Sequence, residues 1–93
     1  MENKARARAV VTGRVQGVFF RMETKRTADR CGVTGWVKNR SDGAVEALFE
    51  GEKKNVLKIL EWCKIGPPYS KVEDIDIQWE DYTEGFEGFD IRY

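Results

Sequence analysis

Apolar residues recur in this chain with two different periods that take turns, and that alternation restricts the fold more than any other feature of the sequence. Residues 6–12 alternate, with Ala7, Ala9 and Val11 to one side and Arg6, Arg8, Val10 and Thr12 to the other, the period-two pattern of a half-buried strand. From Phe20 the period lengthens. Phe20, Thr24, Thr27, Ala28 and Cys31 fall on one helical stripe, Arg21, Glu23, Lys25, Arg26, Asp29 and Arg30 fall elsewhere, and Gly32 stands where such a helix stops. A strand is expected at 34–40, followed by Ser41-Asp42-Gly43, a hairpin signal between two apolar-rich runs. The partner strand, Ala44–Glu50, sets Val45, Ala47 and Phe49 on one face and Glu46 and Glu50 on the other. Over 53–65, Val56, Ile59, Leu60 and Cys63 return to helical spacing, flanked by Leu57 and Trp62, until Gly66-Pro67-Pro68 ends the helix. Lys71–Trp79 alternates again, although Glu73 interrupts an otherwise apolar set of Ile75, Ile77 and Trp79. The polar stretch Glu80–Glu87 reads as a mobile loop, and a short last strand places Phe89, Ile91 and Tyr93 on one side.

The resulting order, βαββαβ plus a short C-terminal strand, predicts an α+β protein. One-faced strands and one-striped helices favour a mostly antiparallel sheet with two helices on one face, the ferredoxin-like split βαβ sandwich. Ninety-three residues suffice for one such unit and leave no room for a second core, so residues 1–93 are expected to form a single domain.

With 41% apolar and 34% charged residues, the composition is that of a soluble globular chain. No apolar run is long enough to span a bilayer, and the opening MENKARARAVV lacks an apolar signal core. A cytoplasmic location is therefore expected, with no membrane partner. Cys31 and Cys63 have neither CxxC spacing nor any histidine to complete a metal site. Both are expected to be buried free thiols, because antiparallel helices hold their C-terminal ends too far apart for a bridge. The net charge is zero but unevenly spread. Residues 1–40 hold ten Lys/Arg against three Asp/Glu, and residues 41–93 hold six against thirteen. Either a positive field surrounds the first half or the two halves interleave and cancel.

Between the first strand and the first helix lies Gly13–Arg21, GRVQGVFFR. Glycines let successive N–H groups converge, a helix start adds unpaired N–H groups, and an arginine adds a planar fork matched to phosphate oxygens. The loop thus suits a small anion. It is not a nucleotide-binding P-loop, because G-x-x-x-x-G-K-[ST] is missing. Neither cysteine falls within it, which opposes a thiol phosphatase.

GRVQGVFFR, the block GWVKNRSDGAVEALFEG from Gly35 to Gly51, and a weaker echo, GPPYSKV at Gly66–Val72, together resemble the acylphosphatase family over nearly the whole chain. The resemblance implies an enzyme, a monomer, that hydrolyses the carboxyl-phosphate bond of small-molecule acyl phosphates without metal or organic cofactor and without a covalent intermediate. It implies that Val15, Gln16, Gly17, Val18, Phe19 and Phe20 form the phosphate-binding loop with Arg21, and that Asn39 positions the attacking water. An amide has both a donor and an acceptor with which to orient water, but it cannot take a proton at neutral pH. The resemblance implies that a phosphate oxygen of the substrate receives it. Cys31, where relatives often carry leucine, and Arg40, beside Asn39, depart from the family pattern, and Arg40 bears on substrate preference. The alternative is a non-catalytic ferredoxin-like anion- or ligand-binding module. Nucleic acid is not an expected partner, since an RNP1-like aromatic segment is missing and the second half is acidic. A carbamoyl-phosphate module of the hydrogenase-maturation type would belong to a far longer chain carrying zinc-finger cysteines.

Overall fold

The computed structural model describes residues 3–93, so Met1 and Glu2 of the expected unit lie outside the described residues. The elements run β1 (Lys4–Arg14), α1 (Phe20–Cys31), β2 (Thr34–Asn39), β3 (Val45–Glu52), α2 (Lys53–Ile65), β4 (Lys71–Glu80) and β5 (Phe89–Arg92). The five strands form one sheet in the order β4-β1-β3-β2-β5. Every neighbouring pair is antiparallel except β2 and β5, which are parallel. This is the expected α+β, ferredoxin-like arrangement.

The two periods divide the sheet into unlike faces. Ala7, Ala9 and Val11 of β1 pair with Phe49, Ala47 and Val45 of β3, and all six are buried in one cluster with Phe20 and Ala28 of α1 and Val56, Ile59, Leu60 and Cys63 of α2. Both helices therefore cover this face. Phe20 also meets Trp62 at a ring separation of 5.5 Å, which locks the start of α1 against α2. Thr24, buried within the stripe, satisfies its hydroxyl by donating to the Phe20 carbonyl at 2.7 Å. Cys63 is fully buried, and burial pushes its thiol up to about 12. Cys31 differs from expectation. As the last residue of α1 it lies at the margin of the core and is only partly buried. Both cysteines are free.

The other face carries charges in place of helices. Arg6 reaches Glu50 at 3.3 Å and Glu80 at 2.9 Å, while Arg8 reaches Glu46 at 2.6 Å and Glu80 at 2.8 Å. The basic first half and acidic second half thus interleave across the sheet. Trp36, 7% exposed, lies beneath Arg8, Lys38 and Arg92, at 5.7, 5.5 and 4.9 Å from its ring centre, where the cations' stems shield its indole from water.

Two irregularities have identifiable physical causes. The register of β1 against β4 slips between Thr12 and Gly13, so Asp74 faces Thr12 and Val72 faces Gly13 while Glu73 faces no residue. Glu73 is the extra residue of a bulge, which explains its break in the alternation. Gly13 accommodates the bulge at φ +121°, where any side chain would collide with the Lys71 carbonyl. The second irregularity is the connection 81–88, which crosses from β4 at one edge to β5 at the other. The sequence suggests a free loop, yet Glu50 of β3 ties it down. This carboxylate, 1% exposed, accepts from the Thr83 N–H and hydroxyl, each at 2.9 Å, from the Gly85 N–H at 3.3 Å, and from Arg6. An isolated glutamate on an alternating strand reads as solvent-facing, and nothing in the local pattern announces the strap that covers it.

Candidate active site

Strand direction assembles the site. β1 and β2 both run antiparallel to β3 and so point the same way, and β5 runs parallel to β2. The C-terminal ends of all three therefore meet at one edge of the sheet. They deliver the loop after Arg14, Asn39 and Tyr93 respectively, and α1 begins at the same edge.

A cavity of about 240 Å³ opens there. Val15, Gly17 and Phe19 line it from the loop, Phe20, Arg21 and Met22 from the first turn of α1, Asn39 from β2, and Ile91 and Tyr93 from the last strand and the residue beyond it. Gly17 and Phe19 both adopt left-handed backbone, at φ 74° and 65°. Left-handed residues set among ordinary ones turn N–H groups toward a common side, the backbone nest that binds anions. Phe19 is also the N-cap of α1, and no side chain caps that helix. The first helical bond runs from the Glu23 N–H to the Phe19 carbonyl at 3.0 Å. The N–H groups of Phe20, Arg21 and Met22 precede it and have no acceptor within the helix. The left-handed turns and the positive end of the helix dipole give this turn features that suit an anion.

Arg21 faces the cavity with its charge uncompensated, since no carboxylate among the described residues lies within ion-pair distance. Its guanidinium lies 4.8 Å from the centre of the Tyr93 ring, and one nitrogen points to the Arg92 carbonyl at 3.5 Å. Ring and carbonyl orient the fork without neutralising it. Asn39 is the last residue of β2. Its side-chain Oδ1 is buried and accepts no hydrogen bond from any described residue, although buried acceptors ordinarily find donors.

The loop residues expected to bind phosphate divide into two groups. Val15, Gly17, Phe19 and Phe20 line the cavity; Gln16 and Val18 do not. Val18 packs against the core. The Gln16 amide donates to the Arg40 carbonyl at 2.8 Å and to the Ala44 carbonyl at 2.9 Å. It splices the loop onto the β2–β3 hairpin directly after Asn39. The turn is further fixed by the Ala44 N–H on Asp42 at 3.1 Å and by Arg40 paired with Asp42 at 3.0 Å. The Ala44 N–H, with Arg40 adding to it, holds the Asp42 carboxyl below its usual range. Arg40 is thus engaged at the turn and contributes nothing to the cavity lining. Met22, Ile91 and Tyr93 line the cavity without a sequence motif to mark them. The alternation of β5 sets Ile91 and Tyr93 on one side, but only the parallel pairing with β2 brings that side to the site.

Among the described residues no helix is long and apolar enough to cross a membrane, and no group of three or more His, Cys, Asp or Glu is placed to hold a metal ion. Comparison with known proteins is consistent along the chain. The family model described as Acylphosphatase matches residues 7–91. A protein named Acylphosphatase from Pyrobaculum aerophilum is 56% identical over 94% of this chain and 93% of its own length. Another of that name, from Pelotomaculum thermopropionicum, is 50% identical over 98% and 99%. The crystal structure of acylphosphatase from Bacillus subtilis superposes with a TM-score of 0.92 at 44% identity, over 96% of this chain and 99% of that one. This chain belongs to the acylphosphatase family of enzymes.

Proposed function

We propose that this chain, acting as one unit, hydrolyses acyl phosphates to a carboxylate and inorganic phosphate by direct attack of water. The phosphoryl group sits on the N–H groups of the loop and of the first turn of α1, with Arg21 on its oxygens. Water held by Asn39 attacks phosphorus in line. The water O–P bond forms as the acyl O–P bond breaks, the electron pair leaves with the carboxylate, and a phosphate oxygen accepts the water's proton. A carboxylate is already a good leaving group, so the task left to the protein is to hold the phosphoryl group and stabilise its charge.

The observation that carries this reading is the unpartnered Oδ1 of Asn39 in a cavity that also holds an uncompensated guanidinium. A buried amide oxygen beside the cavity is placed to accept an O–H from water, and the guanidinium is matched to an anion. Benzoyl phosphate hydrolysis, followed with chelator present, tests it. Wild type should turn over, and Asn39→Ala should lose on the order of 10²-fold in kcat while inorganic phosphate inhibits it as well as it does wild type. A folded wild-type protein that binds phosphate yet hydrolyses nothing would return the chain to the anion-binding alternative.

Gln16 has a role distinct from phosphate contact in this scheme. Its two bonds to the hairpin fix the distance between loop and water. Gln16→Ala should lower kcat about tenfold, in line with the sensitivity of in-line reactions to small displacements, with a stability loss of about 1–2 kcal/mol. Steady-state kinetics beside a denaturant titration would separate the two. Undiminished kcat would show that the splice is structural only.

A further inference from the structure

We infer that the mouth of the cavity selects acyl phosphates whose acyl group is uncharged and apolar, an inference that rests on the hydrolytic reading above. The lining holds a single cationic side chain, Arg21, and a single amide, Asn39. Both are committed to the phosphoryl group and the water. The acyl group is left to Phe19, Met22, Ile91 and Tyr93, which present rings and aliphatic or thioether carbon to it.

These side chains are conspicuous for what they forgo. Phe19 is 66% exposed, Met22 44% and Tyr93 99%. Three large apolar side chains bared around one opening form a patch of the kind that marks a binding surface. Phe19 adds an independent indication. It occupies a left-handed N-cap, where glycine or asparagine sits at lower cost, and its side chain makes no capping bond. Neither burial nor local geometry accounts for a phenyl group there; contact with a ligand does. An acyl group bearing its own carboxylate would meet no second cation in the lining. It would have to surrender its hydration to carbon or compete with the phosphoryl group for Arg21.

Benzoyl phosphate and 4-carboxybenzoyl phosphate share one aryl frame and differ by a para carboxylate, and the Met22→Lys arm below separates its charge from its size. Apolar pocket contacts discriminate by roughly 10–200-fold, so wild type should show kcat/KM at least about tenfold higher for benzoyl phosphate. Met22 lies on the exposed side of the first turn of α1, where substitution spares the core. Met22→Ala should narrow the ratio. Met22→Lys should narrow it further by raising turnover of the carboxylated substrate, an effect that loss of stability cannot mimic. A wild-type ratio within about threefold of unity, or a ratio unmoved by Met22→Lys, would overturn this inference while leaving the hydrolytic reading intact. Failure to hydrolyse either substrate would overturn that reading and this one together.

Discussion

Lysine in place of Arg21 will leave less than a tenth of wild-type turnover, and alanine will leave between about one part in 10² and one part in 10³. The two variants separate charge from shape. Lysine keeps the positive charge that draws an anion into the cavity, but it lacks the planar fork that meets two phosphate oxygens at once. It also loses the stacking by which the Tyr93 ring, 4.8 Å away, holds the guanidinium in place. Interactions that strengthen as the phosphoryl group loosens lower the barrier more than they tighten binding. The loss in Arg21→Lys should therefore fall chiefly on kcat, with a smaller change in the inhibition constant of inorganic phosphate. Arg21 is not part of the buried core, so circular dichroism should be unchanged in both variants. Retention of more than a tenth of turnover by Arg21→Lys would mean that the loop amides, not the guanidinium, carry most of the stabilisation.

The largest loss of stability is expected on the opposite face of the sheet. Glu50→Ala should cost about 3–5 kcal/mol, the usual consequence of removing one member of a buried charged pair, and lower Tm by more than roughly 10 °C. The deletion strands Arg6 and removes the acceptor of the Thr83 and Gly85 N–H groups in a single step. Burial is the strongest single influence on this carboxyl and raises its pKa, but the donors from Thr83, Arg6 and Gly85 jointly outweigh it, and the net position is below the ordinary glutamate value of 4.5. Glu80 is also held low, by Arg8 first and then Arg6. The sign follows directly. A carboxyl lowered by folding contributes stability that is present in full above 4.5 and is lost as pH falls through its depressed native value. Urea midpoints should thus be steady near neutrality and decline in acid. Glu50→Gln, which cannot ionise, should start lower and decline less steeply. Parallel acid limbs in the two proteins would show that Glu50 does not set the slope.

What could be foreseen in the chain and what could not differ in range. Contacts encoded within a few residues were legible: the stripe of α1, the Asp42-Gly43 turn, the Gly-Pro-Pro stop after α2. Arg21 and Asn39 stand out because each sits in a block that resembles the acylphosphatases, Arg21 with a chemical rationale of its own, and both line the cavity. The obscure features depend on distant partners. Glu73 looked like a flaw in a strand until the slip against Gly13 made it a bulge. Glu50 gave no sign of burial because its donors lie more than 30 residues away. Gln16 belongs to the loop by its place in the sequence, but nothing local marks the reach of its amide to the next hairpin. Ile91 and Tyr93 carried the right alternation, but the parallel pairing that brings them to the site leaves no local mark.

That pairing also separates, along the chain, the bulk of the core from one wall of the cavity. Both helices and the four strands β4-β1-β3-β2 are complete by Glu80, before any residue of β5. Most of the core therefore lies in elements that precede β5, while one wall of the cavity and the ring against Arg21 lie in β5 and just beyond it. The bulk of the core and the far wall of the cavity thus depend on different stretches of the chain.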